Sequence, residues 1–244
     1  YQQSLWASTA ALGTDGWPTG WSAPAPLIAR PSPLYQLADA HDGAAGTIKA
    51  FRDPAYFRDP ADGAEYLAFT ASLGGSTSAF NGAFGLARWQ AGAWQLLPPL
   101  IAADGVNNEL ERAHLVHHEG CYYAFWSTQS HTFAPHLRHA PTGLYGMVAD
   151  SLLGEYRPLN GSGLVLANPA AEPHQTYSWF VDASLQVCSF VDFHGLGGGA
   201  IPAEPQAASA AFGGVPAPLL KLAICGDVCQ LAGVMEGLAD ARCD

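Results

Sequence analysis

The sequence predicts an all-β fold, because turn-forming residues and short β-type runs alternate along most of its length. The 244 residues include 27 glycines and 18 prolines, which punctuate the chain. Hydrophobic residues make up 49% and charged residues only 13%. This profile fits an all-β fold with many turns better than it fits a helical bundle.

The predicted strands follow one another after an irregular N-terminal part. Residues 1–50 are rich in Pro, Gly and Ala, and we expect irregular structure there with one or two strands. Aromatic or alternating runs then predict strands at 65–71, 82–88, 113–118, 121–127, 144–148, 176–181, 186–192 and 218–224. Their spacing is typical of a sandwich, barrel or propeller. The remaining expectations are a loop or insertion at 195–216 and short helices near 206–212 and 230–239.

Charge and cysteine content limit the partners and the compartment. A net charge of −11 argues against nucleic acid or an anionic membrane as partner, whereas a neutral sugar is compatible with it. No apolar run has the ~18–20 residues of a membrane span. Sparse lysine and five cysteines favour a secreted or periplasmic protein with one or two disulfides. Cys225 and Cys229 are close enough in sequence to close a small loop.

A pair of glutamates in Asn107-Asn108-Glu109-Leu110-Glu111-Arg112 is the first chemical signal. On an extended strand, Glu109 and Glu111 would share a face, and their repulsion would raise the proton affinity of one of them. A carboxylic acid that stays protonated near neutral pH suits general-acid catalysis. Arg112 would point away on an ideal strand, but at a strand end it could swing back and tune the pair. The alternative is a solvated acidic strand end.

An Arg-Asp-Pro sequence occurs twice, as Arg52-Asp53-Pro54 and as Arg58-Asp59-Pro60. The proline stiffens the backbone, and the neighbouring guanidinium favours the ionised carboxylate. Either copy alone is typical of a structural turn.

Together these segments resemble glycoside hydrolase family 68, the levansucrases, inulosucrases and bacterial β-fructofuranosidases. The resemblance rests on FRDPAYFRDP, EYLAFTAS, GAFGLARW and VNNELERAHLVHHEGCYYAFWSTQSHTFAP. It continues through GLYGMVADSLLGEYRPLNGSGLVLANP, HQTYSWFVDASLQVCSFVDF and GGVPAPLLKLAI, and covers most of residues 15–224 in order. It implies a five-bladed β-propeller, of which this chain would supply roughly the last three to four blades. It also implies a sucrose pocket and retaining chemistry. We expect neither a cofactor nor a metal.

The resemblance assigns roles to individual residues. Glu111 corresponds to the acid/base, and Asp53 to the carboxylate that stabilises the transition state, with Asp59 as a following turn. The residues predicted to bind substrate are Arg52, Glu109, Gln129, Tyr177 and Arg112. Gln129 stands where polymer-forming members often carry Arg or His, which favours hydrolysis and short oligosaccharides over long levan. Asn108 replaces an Asp that helps to hold calcium in Gram-positive members, which weakens the expectation of Ca²⁺ here.

The nucleophile of the family is not recognisable in the sequence. Members carry Trp-Asp-x-Trp-Pro well upstream of Arg-Asp-Pro. Thr14-Asp15-Gly16-Trp17-Pro18 is similar but lies too close to Asp53, so we interpret it as a turn. We therefore expect residues 1–244 to form a single incomplete propeller domain, completed by a second chain that supplies the nucleophile in a heterodimer. The alternative is a non-catalytic carbohydrate-binding propeller that has lost its nucleophile.

Overall fold

The computed structural model describes residues 3–28, 33–38 and 48–235, and nearly all of their regular structure is β. The all-β prediction is confirmed. The N-terminal part forms two short antiparallel pairs, which consist of β1 (Trp6–Ala7) with β4 (Ala25–Pro26) and β2 (Ala11–Leu12) with β3 (Pro18–Thr19). No helix in the described part of the chain is long and apolar enough to cross a bilayer.

Three larger antiparallel sheets follow in chain order. The first has the strand order β5 (Phe51–Arg58), β6 (Glu65–Ser72), β7 (Gly82–Gln90) and β8 (Ala93–Ala102). The second contains β9 (Glu111–His118), β10 (Cys121–Thr128), β11 (Gly143–Ala149), β12 (Arg157–Pro158) and β13 (Leu164–Ala167). Its order is β12-β11-β10-β9, with β13 also paired to β11.

The third sheet contains β14 (Thr176–Val181), β15 (Gln186–Phe193), β16 (Phe212–Pro216), β17 (Leu220–Cys225) and β18 (Val228–Val234). Its order is β14-β15-β17-β18, and β16 also pairs with β15. The single described α-helix, α1 (Pro205–Ala211), precedes β16, and short 3₁₀ turns lie at Ser130–Thr132, Pro135–Leu137 and Leu159–Gly161.

The first strands of the three sheets meet at one side of the fold. Strand β9 contacts both β5 and β14. Each sheet thus presents its first strand to a shared centre, as the blades of a propeller do. Three such sheets agree with the predicted three to four blades, and the total of five blades stays a prediction.

Alternating side chains bury both faces of the central sheet. On β10, Tyr122 and Trp126 face the first sheet, whereas Tyr123 and Phe125 face the third. This is the two-residue period of a strand that is covered on both sides. A third core cluster joins the N-terminal part to the first sheet through Leu5, Ile28, Tyr35, Phe51 and Phe69.

The three strands that meet at the shared centre (β5, β9 and β14, the inner strands) share an unusual backbone feature. Asp53 on β5, Arg112 on β9 and Ser178 on β14 have φ values of 56°, 52° and 65°, in the left-handed region that favours glycine. The pairing register of each strand with its neighbour shifts close to these residues. Each inner strand therefore carries a β-bulge, and bulges redirect side chains next to functional sites.

The second Arg-Asp-Pro copy is structural, as interpreted from the sequence. Asp59 closes the turn between β5 and β6, where its Oδ1 accepts hydrogen bonds from Ala61 N at 2.9 Å and from Tyr122 Oη at 2.7 Å. The buried Asp59 carboxylate therefore ties the first sheet to the second.

Several strands escaped sequence analysis. The first Arg-Asp-Pro copy suggested a turn, yet Pro54 lies within β5. Among the described strands β5 pairs with β6 alone, so it tolerates a missing N–H. The same holds for Pro98 and Pro99 on the edge strand β8. The interval 195–216, expected to be a loop, contains β16 as well as α1.

One helix prediction is confirmed and the other is wrong. Helix α1 lies where a helix was expected near 206–212. Strand β18 occupies most of the described part of the helix expected at 230–239, because Gly226, with φ of 60°, allows a tight hairpin that pairs β18 with β17. Residues 236–239 lie outside the described residues.

The loop closure suggested for Cys225 and Cys229 is also wrong. All four described cysteines are free thiols. On the hairpin, Cys225 pairs with Val228 while Cys229 pairs with Ile224, so the two thiols point to opposite faces of the sheet. Cys229 is buried and Cys225 is exposed, and Cys243 lies outside the described residues.

Candidate active site

The guanidinium of Arg52 lies close to three carboxylates that were predicted from the sequence to belong to the site. Arg52 Nη2 lies 2.8 Å from Glu111 Oε1 and 3.4 Å from Glu109 Oε2, and Arg52 Nε lies 3.5 Å from Asp53 Oδ2. All four side chains are largely buried near the meeting point of the inner strands. The structure thus brings together both members of the glutamate pair and the first Arg-Asp-Pro copy.

The bulge on β5 directs Asp53 into this cluster. In the left-handed conformation of Asp53, its carboxylate reaches Thr70 on the neighbouring strand β6, whose Oγ1 donates a hydrogen bond of 3.3 Å to Asp53 Oδ2. The same Thr70 oxygen accepts a hydrogen bond of 3.0 Å from Arg112 N, at the bulge of β9. Thr70 is fully buried and links the two bulges. Thr70 was not predicted from the sequence, because a threonine within a strand carries no distinguishing signal.

Glu109 reaches the site by a route that differs from the prediction. It precedes β9 instead of sharing a face of that strand with Glu111. Its backbone N donates to Asn107 Oδ1 at 2.7 Å, and its carbonyl accepts from Thr128 Oγ1 at 2.8 Å. These buried hydrogen bonds hold a tight turn, and the turn directs the Glu109 carboxylate towards Arg52.

Tyr177 and Gln129 complete the surroundings of Glu111. The Tyr177 hydroxyl donates a short hydrogen bond to Glu111 Oε2, while Arg52 donates to Oε1. The Gln129 side chain hydrogen-bonds Tyr177. Burial, followed by the charge of Glu111, raises the pKa of Tyr177 well above its usual range, so Tyr177 remains a hydrogen-bond donor.

The electrostatics of the glutamate pair place a proton on Glu109. Burial and then the Glu111 charge raise the pKa of Glu109 to about 7, although Arg52, Asn108 and Lys49 act in the opposite direction. At pH values below about 7, Glu109 is therefore largely protonated, which lowers the negative charge around Arg52. The predicted rise in proton affinity thus falls on Glu109.

Two guanidinium groups leave hydrogen-bonding capacity for a ligand. Arg52 Nη1 is buried and has no acceptor among the described residues. An unpaired buried donor of this kind is costly in free energy and is typical of functional sites. Arg112 is exposed, and within the described part of the chain its guanidinium makes no hydrogen bond or ion pair.

His114 is a further residue that sequence analysis missed. It is buried between β9 and β14, where its Nε2 accepts a hydrogen bond of 2.9 Å from Val181 N. Its Nδ1 therefore carries the proton and donates to Arg112 O at 2.7 Å. Burial lowers the pKa of His114 to about 4, so the neutral ring holds the bulge of β9 against the strand that carries Tyr177.

Asp15 is not part of this cluster, and the described residues show no metal site. Asp15 Oδ1 accepts a hydrogen bond from Trp17 N at 3.1 Å in the exposed turn between β2 and β3, as the turn interpretation expected. Across residues 3–28, 33–38 and 48–235, no group of three or more His, Cys, Asp or Glu side chains could hold a metal ion.

The geometry combines the components of acid–base chemistry on a polar substrate. One carboxylate (Glu111) is held by two donors, a second (Asp53) lies across the shared arginine, and a third (Glu109) has a pKa raised to about 7. Such carboxylate sets, flanked by free guanidinium and amide groups, can bind hydroxyl-rich ligands and transfer protons to them.

Comparisons with a family model and with curated relatives indicate the same family. A family model described as Levansucrase/Invertase matches residues 76–236. The levansucrase of Erwinia amylovora is 38% identical over 203 residues, which cover 72% of this chain and 46% of that protein. The levansucrase of Zymomonas mobilis is 36% identical over 204 residues, again covering 46% of its length. The chain thus spans less than half of these curated relatives.

Solved structures agree with this result. An inulosucrase from Halalkalicoccus jeotgali bound to kestose matches with a TM-score of 0.84 and 38% identity, over 96% of this chain and 63% of that one. The Bacillus subtilis levansucrase matches with a TM-score of 0.76 over the same shares of the two chains, but at 21% identity it supports the fold alone.

The first testable prediction concerns Thr70. Replacing Thr70 with Val removes the hydrogen bond to Asp53 and leaves the Arg112 N–H unpaired. The free energy of unfolding should therefore fall by about 1–3 kcal/mol in urea denaturation of the full protein. The Thr70→Ser control keeps the hydroxyl, so its free energy of unfolding should fall by less. Equal losses for Val and Ser would show that the hydroxyl does not link the two bulges.

The second prediction concerns the pH dependence of stability. Folding raises the pKa of Glu109 from 4.5 to about 7, so this group favours the folded state most below pH 4.5. Its contribution, on the order of 3 kcal/mol, should be lost as the pH rises to about 7. The Glu109→Gln variant should lack this loss, whereas the exposed Glu155→Gln control should follow the wild type. Parallel curves for the wild type and Glu109→Gln would contradict the assignment.

Proposed function

Because the chain belongs to the levansucrase/invertase family, glycoside hydrolase family 68, we propose that it carries the acid/base and the transition-state stabiliser of a retaining enzyme that acts on sucrose. The observation that supports this most directly is Glu111, held between Arg52 and Tyr177 with Asp53 across the shared guanidinium.

In the proposed mechanism, the protonated form of Glu111 donates its proton to the glucosyl oxygen while the aspartate nucleophile attacks the fructosyl carbon and the glycosidic bond breaks. The same residue then removes a proton from water or from an acceptor sugar, so that fructose is released or transferred. Asp53 binds fructose hydroxyls and stabilises the positive charge that develops on the ring. Retention of configuration requires an aspartate nucleophile about 5–5.5 Å from the acid/base.

We propose that a second polypeptide supplies this nucleophile. Three observations support the proposal. The Trp-Asp-x-Trp-Pro segment that carries the nucleophile in the family is not recognisable in the 244 residues. Arg52 Nη1 is buried without an acceptor among the described residues, and an incoming carboxylate or sugar would supply one. Finally, Trp6, Trp17 and Trp21 are exposed on the N-terminal part, as expected of a surface that another chain covers.

A purification experiment tests both proposals. The native particle should contain a second chain in mass spectrometry and should release glucose from sucrose, whereas the isolated 244-residue chain should not. Hydrolysis at the full rate by the isolated chain would overturn the two-chain proposal. A native particle that releases no glucose from sucrose would overturn the proposed activity. A secreted or periplasmic location stays a prediction, which cell fractionation would test.

The third prediction tests the acid/base directly. The Glu111→Gln variant keeps the shape of the side chain but cannot exchange a proton, so kcat should fall by about 10²–10⁴-fold. Glucose release from sucrose is the measurement. The matched Glu155→Gln control, at an exposed site remote from Arg52, should retain wild-type kcat. A folded Glu111→Gln variant with normal kcat would rule out this role.

The fourth prediction concerns acceptor choice. Gln129 presents a neutral amide beside Tyr177, so acceptor sugars gain no charged donor there. Chromatography of the products should show mainly fructose and short oligosaccharides. In the Gln129→Arg variant, one added charged hydrogen bond should raise the ratio of transfer to hydrolysis by about tenfold or more. Long polymer as the main product of the wild type would contradict the assignment.

A further inference from the structure

Lys49 is a buried cation beside the active-site cluster, and the mechanism does not use it. Only 7% of Lys49 is exposed. Its Nζ donates hydrogen bonds to Ala79 O at 2.6 Å, Asn81 Oδ1 at 2.6 Å and Asn108 Oδ1 at 2.7 Å. An ammonium group has three N–H donors, so all of them are in use. Lys49 therefore has no donor left for a substrate, and any role in the reaction is indirect.

The acceptors around Lys49 are themselves held in one orientation. Asn81 Nδ2 donates to Leu73 O at 3.0 Å and to Gln36 Oε1 at 2.9 Å, so its oxygen must face the ammonium. Asn108 Nδ2 likewise donates to Ile48 O at 3.0 Å. The result is a cage of three neutral oxygens that are preorganised for a cation.

This cage joins the segments that lead into three strands. Lys49 precedes β5, Asn81 precedes β7 and Asn108 precedes β9. The segments approach so closely that a Cβ on Gly82 would lie 2.7 Å from Asn108 C. Gly82 N also donates to Asn107 O at 2.8 Å. The cation therefore lies where the strands of Asp53 and Glu111 begin.

Asn108 connects the cage to the glutamate pair. Its Nδ2 lies 3.4 Å from Glu109 Oε1, and the positive charge of Lys49 opposes the burial that raises the pKa of Glu109. Burial lowers the pKa of Lys49, and the charge of Glu109 acts in the opposite direction. The two groups thus influence each other although they share no hydrogen bond.

We propose that Lys49 is a positioning residue, a built-in cation that orients Asn108 and, through it, sets the place of Glu109 beside Arg52. The activity readouts of this inference rest on the proposed function. The cage should also accept a free alkylammonium ion when the lysine side chain is truncated, because its oxygens are held by other partners.

Kinetics on sucrose test the positioning role in the full protein. The Lys49→Met variant keeps the apolar stem but lacks the charge, and kcat/KM should fall by about 10–100-fold, as when supporting partners of an active site are lost. The pH profile should change as well, because without the cation the limb governed by Glu109 moves to higher pH. Lys221 is the only other lysine of the chain and lies at the surface, where its Nζ donates to Ser184 O. The Lys221→Met control should match the wild type.

Chemical rescue tests the cage itself. In the Lys49→Ala variant, n-propylammonium chloride replaces the missing atoms and should restore activity and raise the melting temperature. Tetramethylammonium chloride has no N–H donors and should do neither at the same ionic strength. If kcat/KM and the pH profile of both Lys49 variants stay within about twofold of the wild type, or if the two salts act alike, the proposal is overturned.

A measurement without a Lys49 substitution covers the case in which these variants do not fold. In protein labelled with ¹⁵N-lysine, the Lys49 ammonium resonance, assigned by its persistence in Lys221→Met, should shift as Glu109 titrates. The shift should vanish in Glu109→Gln, and a wild-type resonance without any such step would overturn the inference. Because this readout needs no turnover, failure of the sucrose assay in the wild type would overturn only the proposed function.

Discussion

The arrangement of the site depends on one guanidinium among three carboxylates. Without Arg52, the charges of Asp53, Glu109 and Glu111 would repel one another in a setting largely removed from water, where such repulsion is strong. Burial and the charge of Glu111 raise the pKa of Glu109, whereas Arg52, Asn108 and Lys49 lower it. The protonation of the pair therefore depends on the balance between burial and the surrounding charges.

The backbone is strained to bring these groups together. Asp53, Arg112 and Ser178 each adopt a left-handed conformation at a bulge on an inner strand. Such residues cost about 1–3 kcal/mol each and persist only when their surroundings fix them. Thr70 and His114 provide such support, since both form hydrogen bonds with the backbone of Arg112. Thr70 also donates to Asp53 on β5, and His114 also accepts from Val181 N on β14. These hydrogen bonds thus hold the bulge of β9 to β5 and to β14.

Much of the fold was predictable where local pattern and tertiary role agree. The runs of β6 and β10 were predicted as strands from their aromatic and apolar content, and both faces of these strands are covered in the structure. Strand β5 was not predicted because it contains Pro54. The sequence does not show that this strand lies at the edge of its sheet, where a missing N–H breaks no hydrogen bond. The strand β18 was mistaken for a helix because its pairing with β17, not its composition, decides its conformation.

The sequence by itself determined the chemical types, their order and the family. The two acidic motifs, Tyr177 and Gln129 were all recognisable from it. Only the tertiary structure decided how they meet, because Arg52 and Glu111 are 59 residues apart and Tyr177 is 66 residues beyond Glu111. A bulge cannot be read from residue propensity, since it results from pairing between strands. For the same reason Thr70, His114 and Lys49, ordinary residues in the sequence, became evident only from their buried hydrogen bonds.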